Sequence, residues 1–351
     1  MLYYTGLEDI IFSKHELLSA PPDELIIISG YLGPAPVERL SELPNIKITV
    51  IGGMYSSGID ARLLNSLNNS KNNNSSLTIK YARQEIHSKI YIWKKNGKIL
   101  SALIGSANFS SKGLRTDYRE SLADATRDTF NPLNIYFNFI NEHSEEEPII
   151  NKKQEIIEFT QDNHKVTDVA ATMLNKKFSF EIPLYSSTKE KGKFVPLASG
   201  LNWGRARLTS NAHVAKGDAY IRLPKSILKQ EQQLIKPFDS GFTTPEGERK
   251  RNSDPIELIW DDGTTMEASL EGVQKFNGRT YPKQLASYTS KRPFQNGKPI
   301  SKKSILGRYI RKRLGVNIDD EITMKTLELY GRDTITLSLI EEGVYYADFS
   351  V

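Results

Sequence analysis

The sequence predicts a two-domain protein in which a mixed α/β domain precedes a mainly β domain. Three observations support this fold class: strand and helix patterns alternate in the first half, strand patterns dominate the second half, and the excess of basic over acidic residues lies in the second half. With 351 residues the chain is long enough for each domain to bury its own core. We place the domains at residues 1–175 and 176–351, with a linker near residues 170–180.

The first elements are two buried strands, each followed by a short helix. Residues 25–29 (LIIIS) and 46–51 (IKITVI) are apolar runs of strand length, and residues 37–43 and 61–67 have helical patterns. This alternation indicates parallel strands joined by crossover helices. The Asn- and Ser-rich run 68–76 then predicts an exposed loop.

Antiparallel pairing is predicted next. Residues 77–82, 88–93 and 99–104 have strand patterns, and Asn96-Gly97 between the last two is a hairpin-turn signal. The sheet of the first domain is therefore expected to be mixed. The remaining patterns of this half are a short strand (120–123), two helices (132–142 and 154–159) and an acidic run in a solvated helix end or loop (145–147).

The second half contains short strand patterns separated by Gly-, Pro- and Lys-rich connections. The predicted strands are 178–184, 219–223, 256–260, 265–270 and 334–339. A basic helix is predicted over 304–314, ending at Gly315, and we interpret its Arg308, Arg311, Lys312 and Arg313 as a solvated face; contact with a polyanion is the alternative.

Charge and composition narrow the classes of function. Residues 1–175 carry 18 basic and 21 acidic side chains, whereas residues 176–351 carry 29 and 21, so the second half holds all of the excess behind the formal net charge of +5. This asymmetry suggests that the second domain meets a polyanion, although an ordinary basic domain has the same signature. The absence of cysteine excludes disulfides and thiolate-bound metals. We find neither a membrane span nor a secretory signal, and expect a cytoplasmic protein.

The most informative segment is residues 87–108 (HSKIYIWKKNGKILSALIGSAN). His87 and Lys89 are two residues apart at the start of an alternating run, so in a strand both would project from one face. A Gly-Ser-Ala-Asn turn ends the next run. The segment resembles the H-x-K half-motif of the phospholipase D superfamily, whose members cleave phosphodiesters without a metal; a structural histidine and an ordinary turn are the alternatives.

The resemblance implies a role for each residue of the motif. His87 would be the nucleophile that forms a phosphohistidine, while Lys89 and Asn108 would hold the phosphoryl oxygens, with Ser106 as a further donor. Glu120 would orient the histidine ring and raise its basicity. Asp117 and Asp124 lie close in sequence and remain alternatives for this last role. No metal or other cofactor is implied.

Two further features of the motif have consequences. The family usually has an aspartate five residues after the lysine, but this chain has Lys94, which weakens the case for a lipase. H-x-K also occurs only once, whereas the chemistry needs a second histidine to protonate the leaving oxygen. A homodimer with both motifs at the two-fold axis would supply it.

The second domain resembles the DNA-binding half of restriction endonucleases of the BfiI and NgoFVII type, a plant B-three-like pseudobarrel. The resemblance rests on ASGLNWGRAR (198–207) and on the stretch from Trp260 to Leu285. In that family two arms embrace the major groove; here the N-arm would be residues 201–218 and the C-arm residues 272–284. The candidate DNA-binding residues are Trp203, Arg205, Arg207, Asn211, Lys216, Asp218, Lys275, Arg279, Lys283 and Gln284, of which Trp203 is also a packing candidate.

Together these features predict a site-specific, metal-independent restriction endonuclease of bacterial origin. It would be a homodimer through its first domain, with double-stranded DNA as substrate and an ATP-dependent translocase as a further candidate partner. The rivals are a nonspecific phospholipase D-type nuclease, a lipid phosphodiesterase, and a DNA-binding regulator with an inactive core.

Overall fold

The N-terminal unit is built on one mixed sheet of eight strands. In a computed structural model, which describes residues 1–151, 179–208, 212–229, 234–238, 243–248 and 252–351, the chain forms two compact units, Met1–Ala171 and Thr172–Val351. The predicted boundary at 175/176, the predicted helix 154–159 and the candidate Asn211 lie outside the described residues. Within the described part of the chain, no helix is long and apolar enough to cross a membrane.

The sheet has the strand order β1-β7-β6-β5-β2-β3-β4-β8. Its strands are β1 (Leu2–Tyr3), β2 (Glu24–Ser29), β3 (Lys47–Gly52), β4 (Leu77–Ala82), β5 (Ile90–Lys95), β6 (Lys98–Gly105), β7 (Leu122–Asp124) and β8 (Ser144–Glu145). The helices are α1 (Leu7–Ser13), α2 (Pro34–Arg39), α3 (Ala61–Asn73), α4 (Ser111–Leu114) and α5 (Phe130–Glu142). Strands β2, β3 and β4 run parallel, whereas β5, β6 and β7 pair antiparallel. The predicted mixed α/β sheet is confirmed.

Local sequence signals account for the centre of this sheet. The side chains of β2 and β3 are almost all buried, because helices cover both faces of a parallel sheet. Asn96 and Gly97 both have positive φ (49° and 74°), which is the conformation of a tight two-residue hairpin turn. The turn places β6 beside β5 in the predicted antiparallel pairing.

Three predictions for this unit were wrong in detail. Helix α3 continues through the Asn- and Ser-rich run as far as Asn73, because Leu67 and Ser70 extend its buried face. Strand β5 begins at Ile90, so the H-x-K residues precede the strand in an extended segment. The acidic run contains strand β8, which pairs with the end of β4. Glu145 of this strand forms an ion pair with Arg83, the residue that follows β4.

Lys94 stands where the superfamily usually has aspartate, and its surroundings suit a cation. It is 5% exposed, its Nζ lies 4.6 Å from the centroid of the Phe137 ring, and its strand partner is Glu24. Burial lowers the pKa of Lys94, while the Glu24 carboxylate acts in the opposite direction. The lysine therefore belongs to the packing at the far end of β5.

Lys94→Asp should destabilise the N-terminal unit by about 3 kcal/mol, because it would bury a carboxylate beside Glu24 without a cation. The exposed Lys98→Asp is the matched control, with the same change of charge on the adjacent strand. Calorimetric unfolding of the full chain measures both. Equal transition temperatures for the two variants would contradict this account of Lys94.

The C-terminal unit is a seven-stranded sheet with the order β12-β17-β14-β13-β21-β20-β9. These strands are β9 (Ser179–Pro183), β12 (Ile221–Arg222), β13 (Ser253–Trp260), β14 (Thr265–Glu271), β17 (Gln284–Ser287), β20 (Thr334–Glu341) and β21 (Val344–Asp348). Short hairpins are formed by β10 (Ser186–Thr188) with β11 (Gly192–Phe194), β15 (Gln274–Phe276) with β16 (Arg279–Tyr281), and β18 (Phe294–Gln295) with β19 (Lys298–Pro299). The two edge strands β12 and β9 lie next to each other, so the sheet nearly closes into a barrel. The predicted pseudobarrel is confirmed.

The described part of this unit also contains two α-helices, α6 (Ser304–Leu314) and α7 (Met324–Tyr330). Helix α6 has the predicted bounds and ends at Gly315, whose φ of 67° is the usual left-handed helix terminus. The prediction of a solvated basic face was wrong for Arg311 and Arg313, whereas Lys312 is exposed. Arg311 is 3% exposed and donates to the Leu201 carbonyl, and Arg313 forms a paired contact with Asp261 at 2.7 and 3.0 Å. The planar guanidinium finds several acceptors at once, which makes its burial tolerable.

Candidate functional site

The motif residues gather at one edge of the N-terminal sheet. Ile28 of β2 is the register partner of Ile90 of β5, which in turn pairs with Ile104 of β6. Gly105 then pairs with Leu122 of β7. The carboxyl ends of β2 and β6 and the amino ends of β5 and β7 therefore meet at the same edge.

Lys89 and Asn108 converge above Gly30, which follows β2. A Cβ added to Gly30 would lie 3.1 Å from Asn108 Oδ1 and 3.4 Å from Lys89 Nζ. Lys89 Nζ also donates a short hydrogen bond to the backbone carbonyl of His87. The absence of a side chain at Gly30 thus leaves space in which both polar groups can approach an anion.

The position of Asn108 is fixed by the turn after β2. The Tyr31 backbone N–H donates to Asn108 Oδ1 (3.2 Å), and the buried Ser29 hydroxyl accepts from the Phe109 backbone N–H (2.9 Å). The Gly33 N–H closes the arrangement by donating to the Phe109 carbonyl (2.8 Å). With Oδ1 held as an acceptor, the Asn108 amide nitrogen has no acceptor among the described residues and can donate to a ligand.

His87 is exposed at the mouth of this site. The preceding Ile86 N–H donates to the Gly53 carbonyl (2.9 Å), and a Cβ on Gly53 would clash with the Ile86 carbonyl. The close contact with Gly53 anchors the extended segment that carries His87 to the end of β3. The His87 ring makes no hydrogen bond to any residue in the described part of the chain.

Glu120 contacts Ser106 instead of the predicted histidine ring. The Ser106 hydroxyl donates a short hydrogen bond to Glu120 and accepts from the Ser121 N–H (3.1 Å). Gly105 allows this approach, because an added Cβ would clash with the Ser121 carbonyl. Within one chain, Glu120 therefore orders the Gly-Ser-Ala-Asn turn; Asp117 and Asp124 bond elsewhere, to the Gly6 N–H and to Lys14.

Burial sets the protonation behaviour of the site. Partial burial lowers the pKa of Lys89 from the usual lysine value, and the nearby Glu120 carboxylate partly opposes the shift. Tyr91 is completely buried beneath the site and its pKa is raised by desolvation, so the hydroxyl stays neutral and donates to the Ala107 carbonyl (2.8 Å). The described residues include no group of three or more His, Cys, Asp or Glu side chains suited to a metal ion.

The N-arm of the C-terminal unit carries cations that already have acidic partners. Arg207 contacts Asp319 at 3.1 Å, Lys216 pairs with the same carboxylate, and Arg205 lies 3.4 Å from Glu321. Lys216 and Arg207 lower the pKa of Asp319, with Lys216 contributing most. The N-arm cations are thus gathered on one side of the unit by the acidic loop after α6.

Two other candidate residues of the N-arm stabilise the fold of this arm. Asp218 is 4% exposed, and its carboxylate accepts from the Ala215 N–H (2.8 Å), so it shapes the turn at the end of the arm. The half-buried Trp203 packs edge-on against Tyr220 with ring centroids 5.5 Å apart, as its packing alternative predicts.

The C-arm is a projecting hairpin of β15 and β16, with Asn277 and Gly278 at positive φ in its turn. Lys275, Arg279 and Lys283 are all exposed. Within the described residues none of them pairs with a carboxylate; Lys275 donates to Thr280. Gln284 is half-buried and donates to Glu271 at the base of the hairpin (3.0 Å). The two arms thus differ, since only the cations of the C-arm are unneutralised.

Several contributors were not found from the sequence. Ser29, Gly30 and Tyr31 form the floor of the nuclease site; their only signal was a small polar turn after a buried strand. In the C-terminal unit, the fully buried Asn202 bonds the Ile322 backbone in both directions and fastens the N-arm. No sequence pattern identified Asp319, because its partners are distant in sequence and meet it only in the folded chain.

Comparisons with known families agree with this division of the chain. Residues 5–158 match the NgoFVII restriction endonuclease N-terminal PLD (phospholipase D) domain, and residues 172–341 match the NgoFVII C-terminal B3-like DNA-binding domain. Fold, site and matched domains define a phospholipase D-type nuclease that carries a DNA-binding domain. Because both models describe one enzyme and match in chain order, the chain belongs to the NgoFVII restriction endonuclease family.

Solved structures with some similarity share little sequence with the chain. NucT from Helicobacter pylori is 15% identical over 41% of this chain and 96% of its own, with a TM-score of 0.31. Yeast tyrosyl-DNA phosphodiesterase is 14% identical over 68% of this chain and 62% of its own, with a TM-score of 0.26. No curated protein matches the chain.

Proposed function

We propose that this protein is a site-specific, metal-independent restriction endonuclease that uses His87 as its nucleophile. The observation that carries the proposal is the convergence of Lys89 and Asn108 above Gly30, beside the exposed His87. An ammonium group and an amide side chain that meet next to a glycine suit a phosphodiester anion. The DNA-binding domain on the same chain supplies the class of substrate.

The reaction proceeds in two displacements. An unprotonated imidazole nitrogen of His87 attacks phosphorus, so that an N–P bond forms and the bond from phosphorus to the leaving sugar oxygen breaks. Water then attacks the phosphohistidine, which releases the 5′- or 3′-phosphate end and restores the imidazole. Lys89 and Asn108 stabilise the additional negative charge on the phosphoryl oxygens in both transition states.

The first displacement also needs an acid for the leaving oxygen. Each chain has one H-x-K motif, so we assign the acid to the second His87 of a homodimer whose two motifs face each other across the two-fold axis. After it has protonated the leaving oxygen, this second imidazole accepts a proton from the water that attacks the phosphohistidine. In such a composite site the exposed side of each motif faces the motif of the other chain. One site per dimer cuts two strands one after the other.

The second unit reads the target as a separate module. We infer a short, asymmetric recognition sequence with cleavage outside it, as in a type IIS enzyme, and an ATP-dependent translocase is a candidate partner. A nonspecific nuclease of the same superfamily is the second candidate function, because the N-arm cations Arg205, Arg207 and Lys216 already have acidic partners in the free chain.

Cleavage of long, unmethylated DNA in excess EDTA tests the proposal. We expect wild type to give discrete fragments, because the chemistry needs no divalent cation and the second unit selects the site. Smeared products would favour the nonspecific nuclease. Loss of cleavage in EDTA with recovery in Mg²⁺ would contradict the metal-independent mechanism. DNA binding without cleavage under either condition would favour a regulator or a missing partner.

A further inference from the structure

The C-terminal unit carries a second cationic surface outside both arms. Residues 288–303 (YTSKRPFQNGKPISKK), which we call the basic segment, contain five lysines and arginines and no acidic residue. Its net charge of +5 in 16 residues equals the formal charge of the whole chain. Neither arm includes any of these residues.

Three of the five cations of the basic segment, Lys291, Arg292 and Lys298, are exposed. Strands β18 and β19 form a hairpin whose turn residues, Asn296 and Gly297, both have positive φ (50° and 72°). Arg292 and Lys298 are exposed and have no carboxylate partner in the described part of the chain. This is the opposite of the N-arm, whose cations are paired with Asp319 and Glu321.

Aromatic side chains accompany these charges. The ammonium groups of Lys302 and Lys303 lie 5.0 and 5.3 Å from the centroid of the Tyr288 ring, so that two cations interact with one aromatic ring. Phe294 at the hairpin is 65% exposed. Exposed aromatic rings next to cations are typical of surfaces that contact nucleic acid.

The basic segment is fastened to both arms. Arg308 of α6 hydrogen-bonds Gln295 of the hairpin, and the same helix approaches Gly217 of the N-arm so closely that a Cβ on Gly307 would clash with the Gly217 carbonyl. On the other side, Lys303 forms an ion pair with Glu271, which also accepts from Gln284 at the end of the C-arm. The segment therefore borders the surface that the arms define.

We propose that the basic segment binds the phosphate backbone of DNA next to the sequence that the arms read. This inference rests on the proposed DNA-cleaving function and adds a contact to it. Arg292 and Lys298 neutralise phosphates without reading bases, so they lengthen the footprint and leave the recognition sequence unchanged. Their contribution is expected to be equal on all sequences.

The salt dependence of DNA binding tests the proposal. Binding of a mixed-sequence duplex is measured by fluorescence anisotropy in the His87→Ala background, which keeps the DNA intact. We expect Arg292→Gln/Lys298→Gln to weaken binding and to reduce the slope of log Kd against log salt by about 2, since each phosphate contact contributes about 0.9. The control Lys312→Gln/Lys325→Gln removes two positive charges from exposed lysines outside the segment and the arms, and its slope is expected to remain that of the parent.

The outcomes separate this inference from the proposed function. Equal slopes for the two double variants would overturn the basic segment as a DNA contact, whatever the result of the cleavage assay. A reduced slope only in Arg292→Gln/Lys298→Gln would support it even if wild type gave smeared fragments. If the parent chain did not bind the duplex, the inference would fall together with the DNA-cleaving function.

Discussion

Replacement of His87 by alanine is expected to reduce cleavage by at least about 10³-fold and to leave DNA binding intact. The imidazole is an exposed nucleophile next to Lys89, and its loss removes the covalent route. His87 is exposed and its ring has no hydrogen-bond partner among the described residues, so the substitution leaves the packing unchanged. Cleavage rate and duplex affinity measured on the same preparation separate chemistry from binding.

The matched control is His143→Ala, which removes an exposed histidine of the same unit outside the site. Its cleavage rate is expected to equal that of wild type.

Equal mixing of wild-type and His87→Ala chains extends the test to the composite site. If chains exchange freely and each site needs two copies of His87, about a quarter of the dimers remain active. Activity in proportion to the wild-type chains would contradict the shared site, and a fully active His87→Ala would contradict the mechanism.

Lys89→Met should lower the cleavage rate by about 10²- to 10³-fold, the cost of removing one preorganised group that stabilises transition-state charge. Methionine keeps the length and apolar volume of the side chain but supplies no positive charge. Lys95→Met, a lysine of the same strand region outside the site, is the control and should cleave normally. A Lys89→Met enzyme within a few-fold of wild type would exclude Lys89 from the phosphoryl-oxygen contacts.

The depressed pKa of Lys89 adds a pH dependence of defined sign. The charged form is the active one, and burial shifts its loss to a pH below the 10.5 of an unperturbed lysine. In the free enzyme, kcat/KM is therefore expected to fall as the pH rises through this lowered pKa. Lys89→Arg, whose guanidinium stays protonated, should lack this alkaline decline even if its absolute rate is lower.

Most of the fold could be predicted because its signals are local. Two buried apolar runs, the Asn96-Gly97 turn and the Gly315 terminus each specify their own element, and the structure has all of them. Helix α3 shows where local signals fail. Its last residues are Asn and Ser, which favour turns, yet burial of Ser70 against the unit keeps the helix intact as far as Asn73.

The candidate site was predicted only in the part that lies along one stretch of sequence. His87, Lys89, Ser106 and Asn108 share a hairpin, so their spacing carried the pattern. Gly30 and Ser29 come from a strand that is distant in sequence, and only the pairing of β2 with β5 brings them to the same edge.

The polar contacts of the C-terminal unit could not be predicted from the sequence. Arg311 and Arg313 were interpreted as solvated because they lie in a basic helix, but their acceptors are carbonyls and a carboxylate from other elements. The pairing of Arg207 and Lys216 with Asp319 likewise joins residues about a hundred positions apart. Sequence spacing contains no information on such partners.

The role of His87 as nucleophile is tested most directly by isolating the covalent intermediate. Wild-type protein is mixed with cleavable DNA in EDTA, quenched during the first turnover under denaturing conditions that preserve N–P bonds, digested, and analysed by mass spectrometry. The mechanism predicts an acid-labile nucleotide adduct on the peptide that contains His87, and none in His87→Ala. Cleavage that proceeds without an adduct, or with the adduct on another residue, would contradict it.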